Sequence, residues 1–346
     1  LISDDAPDPT EASVVDAGRH ITITDRSHGL PYSKGMMASS LAVSGLPIVE
    51  GFEIAERIER DLKAAGAYSI SSSDLREMAA VMLSEVGGRY AATYMRWQAV
   101  EELNVPLIIL LGGATGVGKS TIATQLAARL GITRVVSTDA IRQVLRSALS
   151  EELMPILHVS SFEADSMVDS SSDQIDPVIG GFKEQVQAVS VGTEGLITRA
   201  LEEGTDLIVE GAHLTPDTVA GWGEKFPDAV LIPIVLTIES ESLHRSHFHM
   251  RGLETKSRPD DKYLAAFGKI RKIQAYVSSM ALELGVPVVE VFDLDSTLQD
   301  IISIVVSTAL GAPSLQRAIE STMPGLLTRV KSWEILGYRK RLKAHG

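Results

Sequence analysis

Apolar residues in this chain fall into two kinds of pattern. Between 104 and 310, short blocks with no polar face (107–111, 134–137, 207–210, 229–238 and 286–292) alternate with stretches whose apolar residues recur three and four apart. Such blocks predict strands of a parallel sheet covered on both faces by helices. The alternation predicts an open, doubly wound α/β sheet with its site at the C-terminal strand ends. From 15 to 103 the pattern changes. A short β-prone start at 21–24 leads through Pro31, Tyr32, Ser33, Lys34 and Gly35 into amphipathic periodicity at 51–64, 73–85 and 89–100, a small and mainly helical domain. Ser73, with Arg76 and Glu77 behind it, reads as a capped helix start. A helix is also expected over 263–284, its apolar stripe forming core.

The ends carry weaker patterns. Residues 1–14 are acidic and contain proline, which reads as a mobile tail. The chain opens at Leu1 rather than Met, so the reading leaves room for a preceding piece. Residues 166–173 form a polar, Ser-rich loop, read as mobile. From Arg317 onward seven Lys/Arg stand against two Asp/Glu, so 311–346 reads as a basic helical extension, solvated or docked.

Composition narrows the partners. The 346 residues carry a net charge of −13, which argues against nucleic acid as the main partner. The chain has no cysteine, which removes disulfides, thiolate zinc sites and cysteine nucleophiles together and fits a cytoplasmic protein. No apolar stretch approaches the length of a membrane span. A homo-oligomer stays open.

The chemistry is concentrated where the first strand of the central region ends. Gly113, Ala114, Thr115, Gly116, Val117, Gly118, Lys119 and Ser120 match G-x-x-x-x-G-K-[ST], with Thr121 next. Ile122, Leu126 and Leu130 then repeat at helical spacing up to Gly131. The strand before the loop and the helix after it sharpen the motif: loop N–H groups turn in around a triphosphate, and the helix directs its positive dipole end at the same place. The ligand expected is ATP. Lys119 is expected at the β- and γ-phosphates, and Ser120 on Mg²⁺.

One strand later, Asp139 stands where a helix cap is expected in any case, and it is also the acid placed to orient an acceptor hydroxyl and accept its proton, the alternative being a cap alone. Arg142 and Arg146, four apart, share a helix face suited to an anionic acceptor. Glu210, at the end of the third strand, is either a loop carboxylate or a group serving Mg²⁺ or the acceptor. Asp206, at the opposite end of that strand, reads as structural. Arg245, Arg251 and Arg258 fall in a segment between strand and helix, suited to a lid that neutralises charge at the transferring phosphoryl group. His244, His247 and His249 crowd the same segment. Without acids or cysteines at ligand spacing they read as lid or surface residues rather than a metal site.

These residues, taken as an ordered series, resemble the 2-phosphoglycerate kinase family. The likeness runs through the loop from Gly112, through Ser137 to Arg142, through Met154 to Phe162 with His158, through Glu210 to Leu214, and through His244, Arg245 and Arg251. The N-terminal Pro31 to Gly35 segment and its helices look like an ATP-cone; where ATP-cones carry basic residues in the first strand, this chain has Thr22 and Thr24. The resemblance covers about residues 15 to 310 and implies a P-loop nucleoside-kinase-like fold with sheet order 2-3-1-4-5. It implies phosphoryl transfer from ATP, with Mg²⁺, to 2-phosphoglycerate, a small anionic phosphorylated substrate, giving 2,3-bisphosphoglycerate. Lys119, Asp139, Arg245 and Arg251 would then be catalytic, with Asp139, Arg142, Arg146, His158 and Glu210 around the acceptor. Two alternatives remain at this point: a kinase for an inositol phosphate or another phosphorylated alcohol, and an ATP-responsive regulatory protein without turnover.

Overall fold

The computed structural model describes residues 20–25, 28–102, 105–167, 176–254 and 260–312. The expected acidic tail, most of the Ser-rich loop, Arg258 and the basic extension lie outside these residues. The chain divides into two compact units, with the division between Gln98 and Ala99.

The first unit opens with β1 (Thr22–Asp25), β2 (His28–Pro31), α1 (Lys34–Ala42), α2 (Ile48–Ala64), β3 (Ser69–Ser71) and α3 (Ser72–Val86). Helix α4 (Gly88–Glu101) spans the division. Its three-stranded sheet has the order β2-β1-β3, with β1 antiparallel to β2 and parallel to β3. Helix starts are set by serines: Ser33 accepts from the Met36 N–H and Ser71 from the Asp74 N–H. The cap of α3 therefore lies two residues before the expected Ser73. Strand β2 and helix α1 have no counterpart in the sequence reading. The core stripe of α2 is Ile54, Ala55, Ile58 and Leu62, the spacing of one helix face.

The second unit runs β4 (Leu107–Gly112), α5 (Lys119–Leu130), β5 (Val135–Ser137), α6 (Thr138–Ala148), two short 3₁₀ turns (Pro155–Leu157 and Ala164–Met167), α7 (Pro177–Glu202) and β6 (Leu207–Glu210). It continues through α8 (Pro216–Ala220), α9 (Trp222–Lys225), β7 (Val230–Thr237), α10 (Glu241–Glu254), α11 (Asp260–Ala265), α12 (Phe267–Leu284), β8 (Val288–Glu290) and α13 (Leu294–Gly311). The sheet order is β5-β6-β4-β7-β8, all parallel, which is the expected 2-3-1-4-5.

Burial explains the strand sequences. All six residues of the central strand β4 are buried, so both of its faces are apolar. Ile108 and Leu110 join a core cluster with residues of α6, α7 and β6, and Ile109 and Leu111 alternate to the opposite face. Asp206 does what its position suggested: its Oδ1 accepts from the Leu107 N–H at 2.8 Å, and burial raises its pKa. Pro233 is tolerated in β7 because its nitrogen faces the β8 side before β8 begins; the neighbouring Val235 N–H already bonds Pro287 O on that side. Two expectations are corrected here. The lid segment is helical over Glu241–Glu254, and the helix expected over 263–284 is interrupted at Ala266 between α11 and α12.

Candidate active site

The phosphate-binding loop joins β4 to α5, so its residues sit at the C-terminal edge of the central strand. Helix α5 follows without a side-chain cap, which leaves its first N–H groups for a ligand. Lys119 is buried, and its Nζ donates to Ala114 O at 2.8 Å, folded back across its own loop. Ser120 is exposed at the helix start, and its hydroxyl donates to Glu210 Oε1 at 2.8 Å. Thr121 is also exposed, while Gly113 and Val117 are buried in the loop's support. Ser120 and Glu210 border a cleft of about 380 Å³ whose wall continues through Thr124, Val136, Ser137 and Ala140.

Helix α10 backs the loop from the other side. His244 Nε2 lies 2.8 Å from Thr115 O and His247 Nδ1 lies 3.0 Å from Gly116 O. A carbonyl can only accept, so both ring nitrogens are donors. Burial holds His244 below its usual pKa, and Thr115 O takes the proton on Nε2 of the neutral ring. With these two carbonyls taken by α10, the loop offers an anion its N–H groups. Phe248 completes the backing. A Cβ at Gly116 would meet its ring at 2.4 Å, and Gly116 has φ 91°, a conformation that favours glycine. Phe248 stacks in turn on His244 and Tyr263, with centroids at 5.4 and 5.1 Å. The Arg245 guanidinium lies 3.7 Å from the Phe267 ring centroid, a cation–π contact. Arg251 lies on α10, with its side chain outside those described.

Asp139 is not the cap of α6. Ser137 caps that helix by accepting from the Ala140 N–H, and Asp139 lies in the first turn with its side chain 71% exposed. Arg142 is occupied within the protein. Its Nη1 donates to Leu157 O at 3.0 Å and Val159 O at 2.6 Å, and its Nε lies 3.6 Å from Asp139 Oδ1. His158 likewise has an internal partner, its Nε2 lying 3.0 Å from Leu149 O. Arg146, one turn beyond Arg142 and half-buried, makes no hydrogen bond or ion pair among the described residues.

Sequence reasoning missed a buried polar chain beside these groups. His213, fully buried, has Nδ1 2.8 Å from Thr138 Oγ1 and Nε2 2.9 Å from Gln185 Oε1. The Gln185 amide nitrogen donates to Ile156 O and Val159 O, so its oxygen must accept from His213. His213 is then the neutral Nε2–H tautomer and takes the Thr138 hydroxyl proton on Nδ1. Burial pushes its pKa down to about 4, against the pull of Asp139 and with the help of Arg142 and Lys119. One signal was present: Gln185 is a polar residue among the apolar positions Gly181, Phe182, Val186 and Val189 of α7.

The sheet order, the loop after its central strand and the carboxylates at the neighbouring strand ends define a P-loop phosphotransferase. A family described as an AAA domain matches residues 108–272. The 2-phosphoglycerate kinase of Methanopyrus kandleri is 36% identical over 314 residues, covering 90% of this chain and 95% of that protein. That of Thermococcus kodakarensis is 36% identical over 284 residues, covering 82% and 95%. The chain belongs to the 2-phosphoglycerate kinase family. Shikimate kinase from Acinetobacter baumannii, solved with shikimate, is similar over 62% of this chain and 98% of that one, with 14% identity and a TM-score of 0.37.

Proposed function

We propose that this protein is a cytoplasmic enzyme that transfers the γ-phosphoryl group of ATP to 2-phosphoglycerate, giving 2,3-bisphosphoglycerate. The observation that carries the reading is kinship over 90% of the chain with a protein of that name, joined to a P-loop lysine and an exposed acid at the next strand end. Lys119 exchanges Ala114 O for the phosphates when nucleotide arrives. Ser120 and Glu210 offer a hydroxyl and a carboxylate side by side, an all-oxygen set suited to Mg²⁺, and they would hold it with the nucleotide's own phosphates and water. That ion would offset charge on the phosphates.

Asp139 orients the acceptor hydroxyl and accepts its proton. Of the two arginines on α6, Arg146 is the better anchor for the acceptor's existing phosphate, because Arg142 is committed to backbone carbonyls. Arg245 and Arg251 serve the transferring group, Arg245 by leaving its stacked position on Phe267. Residues 15–103 are read as an ATP-cone-like domain, and 104–310 as the kinase domain.

The test is direct: incubate the protein with labelled ATP, Mg²⁺ and a panel of phosphorylated alcohols. Label in 2,3-bisphosphoglycerate is expected. Label in an inositol phosphate with 2-phosphoglycerate untouched would replace the acceptor, and ATP use stimulated by no panel member would remove the kinase reading.

A further inference from the structure

The buried chain around His213 closes a loop of contacts that begins and ends beside Asp139. Thr138, the residue before Asp139, is fully buried and reaches His213 at 2.8 Å; His213 reaches Gln185 at 2.9 Å. Gln185 and Arg142 both hold Val159 O, at 3.1 and 2.6 Å, and Arg142 Nε returns to within 3.6 Å of the Asp139 carboxylate. From Thr138 to Gln185 the donor and acceptor directions are fixed by the carbonyls of Ile156 and Val159, and the return from Arg142 to Asp139 is an ion-pair contact rather than a hydrogen bond. Three elements are joined in this way to the first turn of α6: the loop after β6, the face of α7, and the segment after the first 3₁₀ turn.

The cost of this arrangement points to a purpose. A buried histidine, glutamine and threonine could be replaced by apolar residues with little loss of packing, whereas a polar chain is favourable only where its groups are satisfied. What the chain adds is direction. A helix start held only by its cap at Ser137 can rock about that point, and Asp139, one residue into the turn, would swing with it. The Thr138 hydroxyl, tied to a ring that is itself fixed at both nitrogens, removes that freedom.

We infer that Thr138, His213 and Gln185 are positioning residues that hold the Asp139 carboxylate in line with the acceptor hydroxyl. The inference rests on the proposed role of Asp139. Misplacement of a reacting group by about 1 Å can cost a hundredfold in rate. The effect belongs in kcat and in the acceptor's KM, because the nucleotide is held by α5 and its loop.

The test uses the smallest change available. Thr138→Val keeps the shape and removes the hydroxyl; Thr138→Ser keeps the hydroxyl and removes the methyl. In the full chain, Thr138→Val should lower kcat about tenfold or more with the KM for ATP unchanged, and Thr138→Ser should stay near the parent. Gln185→Met should reproduce the loss. In an Asp139→Asn background, Thr138→Val should have no further effect, because the residue acts through the carboxylate. A Thr138→Val protein with parental kcat, or one whose ATP KM rises in step with its loss of turnover, would overturn the inference. So would additive losses in the double variant. If Asp139→Asn itself turns over normally, the assignment of Asp139 fails instead, and that outcome is separate from the others.

Discussion

At the scale of single residues, the site contains groups whose present partners are other parts of the protein. Lys119 rests on Ala114 O and must exchange that contact for phosphate oxygen. No other side chain of the loop carries a charge, so Lys119→Ala should lower turnover by about a hundredfold or more, measured as kcat at saturating ATP. The two arginines on α6 should separate. Arg146→Ala should raise the acceptor's KM about tenfold and leave the melting temperature alone. Arg142→Ala should lower the melting temperature, because Leu157 O loses the Arg142 donor and Val159 O keeps only Gln185. Equal effects of the two on acceptor KM alone would reverse this division. His213 also carries a pH signature. Its folded pKa lies below its unfolded value, so the unfolded chain binds the proton more readily between about 6.5 and about 4, and stability falls as pH drops through that window. The fall should be shallower in His213→Gln, followed by thermal melting at stepped pH.

At the scale of elements, the loop and the helix behind it form one object. Gly116→Ala would force a side chain into Phe248 and strain a backbone at φ 91°. Its affinity for ATP, read by calorimetry, should fall about tenfold to a hundredfold. The elements differ in how plainly the sequence announces them. Five strands were legible because β4, β6 and β7 are covered on both sides and so are written as unbroken apolar blocks. The phosphate loop was legible because its spacing is dictated by the ligand rather than by the core. Helix α7 was not singled out, because valines and four glycines dilute its helical pattern. Two of those glycines have a packing reason: a Cβ at Gly181 would meet the backbone of Ala164 at 2.4 Å, and one at Gly192 would meet Ile141 at 2.4 Å. The same close approach brings Gln185 to His213, so that part of the site was hidden with the helix that carries it. The internal contacts of Arg142 were hidden for a related reason. Its partners are carbonyls 15 and 17 residues away, and no spacing rule reports them.

At the scale of the whole molecule, the division between Gln98 and Ala99 invites dissection. A chain beginning at Ala99 keeps all five strands of the larger sheet and should unfold in one transition with kinase activity retained, checked by calorimetric melting and by product formation. With Thr22 and Thr24 in the first strand instead of basic residues, full-length protein should bind one nucleotide tightly; a count of two would assign the second to the N-terminal unit. The grip of α10 on the loop has its own consequence. The carbonyls of Thr115 and Gly116 are held by a helix that follows β7, more than a hundred residues later in the chain. The fold of that helix and the occupancy of the nucleotide site therefore belong to one linked equilibrium. Fraying α10 releases the loop, and filling the loop must suppress the fraying by the same free energy. Amide exchange along 241–250 should slow when ATP binds, and warming should weaken nucleotide binding well before the sheet melts.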